Sequence, residues 1–334
     1  MIRRLLFRAT ACLACFAAVY FTANMANAES PENWPRKPVR LVVAAPAGSS
    51  VDIVARVIAD GLKQRWPNGV VVDNKPAASG TAAAVEVARS AADGYTLLLG
   101  YNGPLATAPS LYARLAYDPF KDFVPVILTG SQPNLLAVNA QVPASNLSEL
   151  VALMRASPGK LNYASVGNGS ASHLCMELMK RTLSIDVVHV PFNGGPPATQ
   201  AVVAGDVQMI FAAPSNLIGQ IRAGKLRAIA TTGRNRFAPL ADIPTVAESG
   251  IPAMANFEAL AWNGIVAPAG TDRAIVEAIN REVNAVLARA ETRKKLFDAG
   301  IEAGGGSAES LGRLIKSEAE KWGAVIRATG ARVD

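Results

Sequence analysis

The residues best placed to do chemistry lie in two small-residue loops, one in each half of the chain. The first is Pro46-Ala47-Gly48-Ser49-Ser50, followed by Val51 and Asp52. It separates a β-branched, nearly all apolar run at 39–45 from Val54, Val57, Ile58 and Leu62, which recur at helical spacing. The pattern reads as a strand buried on both faces, a loop and an amphipathic helix. Ser49 stands three residues before Asp52 and predicts a capping-box-like helix start. The first N–H groups of a helix have no intrahelical partner, and two hydroxyls beside them make a ready anion site. The loop holds no Lys, so it is not a nucleotide P-loop. It suits a carboxylate better than a triphosphate.

The second loop is 162–173, whose centre reads Ser165-Val166-Gly167-Asn168-Gly169-Ser170-Ala171-Ser172-His173. It too follows a strand-like run and opens a helix. Gly167 and Gly169 let the backbone come close to a bound group. Ser165, Ser170 and Ser172 add hydroxyls, and Asn168 adds an amide. Two lesser loops have the same character. One is Pro76-Ala77-Ala78-Ser79-Gly80-Thr81; the other is Tyr101-Asn102-Gly103. Tyr101 and Phe192 fit either the apolar walls of a site or ordinary core packing.

Nothing in the chain pairs a nucleophile with a base. His173 and His189 are the only histidines, and there is no G-x-S-x-G elbow. His173, just inside the second helix, reads first as a structural hydrogen-bonding group and second as a ligand contact. Asp52 reads as a helix-start charge or loop brace, and Cys175 as a small buried apolar residue in mid-helix. No His, Cys or carboxylate set has metal-ligand spacing, so no metal and no cofactor are expected. Gly304-Gly305-Gly306 follows no clear strand and lacks a Lys, so it reads as a turn. A hydrolase of small carboxylic esters finds no residues to carry it.

These loops must be held by a fold, and the rest of the chain says which. Arg3, Arg4 and Arg8, an apolar run at 9–21 and Ala26-Asn27-Ala28 together read as a secretory signal peptide at 1–28. The residues flanking Arg3-Arg4 fit a twin-arginine signal poorly. Of 334 residues, 306 remain after those 28, enough for two lobes. Losing three arginines lowers the net charge from +7 to +4, a mild excess with no Lys/Arg cluster of the nucleic-acid kind. Cys12 and Cys15 leave with the signal, so Cys175 has no disulfide partner. A soluble, exported protein is expected.

Beyond the first strand and helix, short apolar runs at 96–100, 135–138, 186–191, 207–211 and 226–231 alternate with helical patterns. These patterns lie at 81–91, 147–156, 172–183, 197–204 and 214–223. Such alternation predicts an α/β fold with mainly parallel sheets and ligands at the carboxyl ends of strands. The last third is helical at 271–289, 291–299 and 307–329, with starts at Thr271 and Ser307.

The same residues carry a family resemblance over 34–330. Trp34-Pro35 with Lys37-Pro38-Val39-Arg40, the loop 46–52, Val72-Asp73-Asn74-Lys75-Pro76 and Asp93-Gly94-Tyr95-Thr96-Leu97-Leu98 resemble the Bug family of periplasmic solute receptors. So do Tyr117-Asp118-Pro119, Pro158-Gly159-Lys160-Leu161-Asn162-Tyr163, Gly167-Asn168-Gly169-Ser170 with His173, His189-Val190-Pro191-Phe192 and Ala267-Pro268-Ala269-Gly270-Thr271. The resemblance implies a type II periplasmic binding protein fold. Two lobes, 29–129 plus 257–334 and 130–256, are joined by a hinge and close on a ligand. It implies a grip on one carboxylate through backbone amides, hydroxyls and bridging waters. The residues concerned are Ala47, Gly48, Ser49, Ser50, Ser79, Gly80, Thr81, Tyr101, Asn102, Ser165, Gly167, Asn168, Gly169, Ser170, His173, Phe192, Ala212 and Ala213. It further implies a periplasmic monomer that serves a membrane permease of the tripartite tricarboxylate type; a sensor module for a membrane signalling partner is the alternative. Many relatives carry an Asp where this chain has Ala212-Ala213. Without that acid an amino-acid ligand loses its ammonium partner, which leaves di- or tricarboxylates and aromatic carboxylates.

Overall fold

The computed structural model describes residues 34–330. The expected signal segment lies outside the described residues. The first part of the chain forms β1 (Val39–Val43), α1 (Ser50–Leu62), β2 (Val70–Asn74), α2 (Thr81–Ala88), β3 (Thr96–Tyr101) and the short α3 (Ala108–Leu111). A long strand, β4 (Phe123–Pro133), leads after Asn134 into β5 (Leu135–Asn139). Then come α4 (Leu147–Ala156), β6 (Asn162–Ser165), α5 (Ala171–Leu183), β7 (Val188–Pro191) and α6 (Gly195–Ala204). They are followed by β8 (Met209–Ala212), α7 (Pro214–Arg222) and β9 (Leu226–Thr231). The chain returns through β10 (Leu260–Pro268) and ends in α8 (Arg273–Leu287), α9 (Ala290–Asp298), β11 (Glu302–Ala303) and α10 (Ala308–Thr329).

Two sheets result, in the orders β11-β4-β10-β3-β1-β2 and β7-β6-β8-β5-β9. Both are mixed, which corrects the expectation of mainly parallel sheets. β1 pairs in parallel with β2 and β3, and β6 with β7 and β8. β10 is antiparallel to β3 and β4, and β5 to β8 and β9. The antiparallel pairs centre on β4, β5, β9 and β10, which carry the chain between the sheets, and the two-residue β11 adds antiparallel to β4. Helical crossovers make the remaining parallel pairs. The expected break at 129/130 falls inside β4, which stays in the first sheet as far as Pro133.

Alternation along the strands places the cores. In β1, Val39, Leu41 and Val43 pack with Val54, Ile58 and Leu62 of α1 and Ile279 and Val283 of α8. Val42 faces the other way, against Ala84 and Val87 of α2 and Leu311 and Ile315 of α10. A strand covered on both faces is nearly all apolar, and β1 departs only at Arg40, whose partly exposed guanidinium pairs with Asp73 and Glu86. Each fully buried Leu or Ile contributes about 1.5–3 kcal/mol. The second sheet is built alike: Leu136, Tyr163 and Phe211 face α4 and α5, while Leu135, Ala164 and Ile210 face α6 and α7. Helix α10 spans both lobes, because its far end puts Trp322, Val325 and Ile326 into the core beneath α5.

Candidate functional site

β1 and β6 hold equivalent places in their sheets, and the loops that follow them are built alike. Ser49 caps α1 by accepting from Asp52 N, and Ser170 caps α5 by accepting from His173 N. Ser49 N donates to Pro46 O, and Ser170 N donates to Gly167 O. Gly48 and Gly169 both have positive φ, +77° and +73°, a conformation that costs glycine little. Each donates its N–H to the side chain four residues on: Gly48 to Asp52 Oδ2 at 2.9 Å, Gly169 to His173 Nδ1 at 3.1 Å. The result is the same tight turn into a helix in each lobe. The N–H groups of Ser50 and Val51, and of Ala171 and Ser172, are left without a protein partner.

The two acceptors are held differently. Asp52 is buried, which raises its carboxyl pKa. Hydrogen bonds from Arg56, Gly48 N and Asn74 outweigh that and hold it below the usual carboxylate range. His173 is neutral because burial lowers its pKa to about 4, with Lys180 adding to the effect. Its ring stacks on His189 with centroids 4.1 Å apart, and His189 stacks on Tyr163 at 4.8 Å. Burial, then the neighbouring His173, lowers His189 to about 3.

Between the sheets lies a cleft with roughly 650 Å³ of atom-free space, part of it open to solvent. Four helices start at its wall: α1 through Ser49, Ser50 and Val51, α5 through Ser170, Ala171 and Ser172, α6 through Gly194 and Gly195, and α7 through Ala213 and Asn216. The hinge strands add Gln132, Trp262 and Asn263, with Asn134 between them and β5. Ser79, Tyr101, Asn102 and Asn193 complete the polar part, and Ala44, Ala45, Pro46, Pro76, Val166 and Ala261 the apolar part. No Asp, Glu, Lys, Arg or His lines it among the described residues. An anion there is met by helix dipoles and neutral donors; an ammonium finds no counter-charge. Two lining side chains keep a buried amide atom unpartnered: Asn102 Nδ2, in a residue 1 % exposed, and Gln132 Oε1, in a residue 3 % exposed. Each such atom costs about 1–3 kcal/mol until something pairs with it.

The lobes meet across the cleft. Thr107 Oγ1 donates to Gly169 O at 2.7 Å. A Cβ on Gly194 would lie 2.3 Å from Pro46 Cγ, so glycine is required for that approach. Tyr101 donates its hydroxyl to Ser79 O at 2.8 Å, fixing its ring in the wall.

Of the expected site residues, the structure brings Ser49, Ser50, Ser79, Tyr101, Asn102, Ser170 and Ala213 to the cleft. The others are placed elsewhere, each for a local reason. Ala47 and Gly48 are exposed and only make the turn. Gly80 packs its Cα against Ala44, and the Thr81 hydroxyl donates to Ala78 O. Gly167, Asn168 and Gly169 form the second turn without lining the cleft. Ser165 bonds His189 Nε2 at 2.7 Å, and His173 is committed to Gly169. Phe192 packs half-buried on the core beside α6, and Ala212 is wholly buried in β8. The lobe-two hydroxyls expected as donors are also spent. Ser170 donates to Gly167 O at 2.6 Å, and Ser172 to Phe211 O. Lobe two therefore offers backbone N–H groups and amides, while lobe one offers the hydroxyls of Ser49, Ser50 and Ser79. The starts expected at Ser49 and Ser307 are both caps; at α8 the cap is Asp272, since the Thr271 hydroxyl donates to Pro268 O.

Sequence reasoning missed Gln132, Asn134, Asn193, Asn216, Trp262 and Asn263. For Asn193 a signal existed: Asn193-Gly194-Gly195 opens a helix just after a strand, like the loops that were singled out.

Residues 54–331 match the tripartite tricarboxylate transporter family receptor. Protein BugT of Bordetella pertussis is 32% identical over 325 residues, covering 97% of this chain and 99% of its own. Two solved structures from Rhodopseudomonas palustris are each 34% identical. Rpa4515 with adipate has a TM-score of 0.86 and covers 89% of this chain and 99% of its own. MatC with bound malate has a TM-score of 0.82 and covers 88% and 100%. No helix among the described residues is long and apolar enough to cross a membrane. The chain belongs to the tripartite tricarboxylate transporter receptors, the family of the Bug proteins, which are periplasmic solute receptors and not enzymes.

Proposed function

We propose that this chain is exported through a signal peptide cleaved after Ala28, captures one small organic carboxylate in the interlobe cleft, and presents the closed form to a tripartite tricarboxylate-type permease. The observation that carries the reading is an interlobe cleft lined by four helix N-termini and no charged side chain. A carboxylate group in this reading takes the free N–H groups of Ser50 and Val51 from one lobe and of Ala171 and Ser172 from the other. The hydroxyls of Ser49 and Ser50 and the amide of Asn102 add donors. Because the donors come from both lobes, the ligand favours the closed form by its differential affinity for it, and that form is what a permease reads. The apolar wall from Pro46 to Trp262 accommodates the carbon chain. The relatives that hold adipate and malate support a small acid of this kind.

Isothermal titration of the mature protein against a panel of organic acids tests this. In the double variant Ser49→Asp, Ser170→Asp, each Asp still caps its helix, so lost binding reports charge repulsion and not unfolding. Affinity is expected to fall by about 100-fold or more, in line with two like-charge contacts in a desolvated site. Unchanged affinity would remove the proposed site.

A further inference from the structure

Gln132 is the penultimate residue of β4, and its Nε2 donates to the Ser50 hydroxyl over 3.2 Å. Ser50 opens α1, so this amide touches the helix start assigned above to the carboxylate. Ser50 Oγ, having accepted from the amide, keeps its own proton to donate into the cleft. The other end of the same amide, Oε1, is buried and accepts from nothing. Beside a bare carboxylate that oxygen would face further acceptors with no proton between them. A donor on the carbon next to the carboxylate removes the conflict. That donor is a neutral hydroxyl and not an ammonium, because no acidic side chain lines the cleft. Asn102 Nδ2, also buried and unpartnered, supplies a donor for an oxygen of the same group.

We propose that this receptor selects 2-hydroxy carboxylates, with Gln132 reading the hydroxyl and orienting Ser50 toward the carboxylate. The inference rests on the carboxylate site proposed above.

The test is calorimetric titration of the mature protein with matched acids: each enantiomer of 2-hydroxyglutarate against glutarate, and of mandelate against phenylacetate. In at least one pair, one enantiomer of the hydroxy acid is expected to bind about tenfold or more tighter than its deoxy partner, the usual cost of leaving a buried acceptor unpaired. In Gln132→Met the hydroxy acid should lose that advantage, leaving the pair within about threefold, while the deoxy acid changes less. Equal affinities within both pairs in the unaltered protein would overturn the inference and leave the carboxylate site standing. A preference that survives in Gln132→Met would overturn the role of Gln132. Failure of all these acids to bind would overturn the inference together with the site it rests on. If Gln132→Met does not fold, the pair ratios in the unaltered protein still decide.

Discussion

The loop at 46–52 and the loop at 167–173 make the same turn with different chemistry. In both, a glycine at positive φ donates to a side chain four residues on, and a serine caps the helix. Lobe one uses a carboxylate, which can be buried because Arg56 and Asn74 share its charge. Lobe two uses an imidazole, which needs no counter-charge because burial keeps it neutral. The same helix-start geometry therefore leaves one loop tied to β2 through a polar network and the other resting on a stack of rings. It also separates the two loops in pH.

The largest effect that breaks the comparison is expected in Asp52→Ala. It removes the acceptor of Gly48 N–H and one of the two acceptors of the Asn74 amide, which keeps Ala45 O, while half-exposed Arg56 regains water. A loss of about 2–4 kcal/mol in urea unfolding is expected from the three hydrogen bonds to a buried carboxylate that are severed together. His173→Ala orphans one N–H and should cost less, about 1–2 kcal/mol plus the lost stacking.

Acid should separate the loops further. The folded-state pKa values of His173 and His189 lie below the ordinary 6.5, so between about 6.5 and 4 the unfolded chain binds more protons. Their contribution is full above 6.5 and is lost as pH falls through that window. The groups facing this pair are Tyr163, Ser165, Glu177 and Lys180. Asp52, whose pKa is lowered from 3.8, gives up its contribution only in stronger acid. Thermal melts from pH 7 to 4 should show the melting temperature falling, and the fall should be shallower in His173→Asn, which keeps an acceptor and loses a titrating ring. An unchanged slope in that variant would show that the stack does not govern acid stability.

The smallest effect sharpens the parallel. Ser49→Ala and Ser170→Ala each remove a cap and should each cost about 1 kcal/mol. Ser170→Ala should cost slightly more, because its hydroxyl also holds Gly167 O. A Ser49→Ala cost well above that of Ser170→Ala would contradict the equivalence of the loops.

Much of this was legible in the sequence, because local patterns govern it. The strand at 226–231, the helix at 147–156, the caps at Ser49 and Ser307 and the brace role of Asp52 depend on neighbours within four residues. The strands β4 and β10 were not legible. Pro125, Gly130, Ser131 and Gln132 interrupt one apolar run, and two register shifts break the pairing of the strands. Their side chains serve the hinge and the cleft as well as the core, so their pattern follows no single period.

The sequence by itself determined the α/β architecture and the two small-residue loops that turn into serine-capped helices, since each follows from residue type and short spacing. Only the tertiary structure decided which polar groups face the cleft. Hydroxyls that look free in the sequence, at Ser165, Ser170 and Ser172, are spent on the protein's own backbone or on His189. The amide of Gln132, inconspicuous in the sequence, and that of Asn102, which the sequence singled out, are left with open valences. A hydrogen bond needs a partner within about 3 Å. For Ser50 that partner is Gln132, 82 residues along the chain, so only the packed fold could say which donors remained for a ligand.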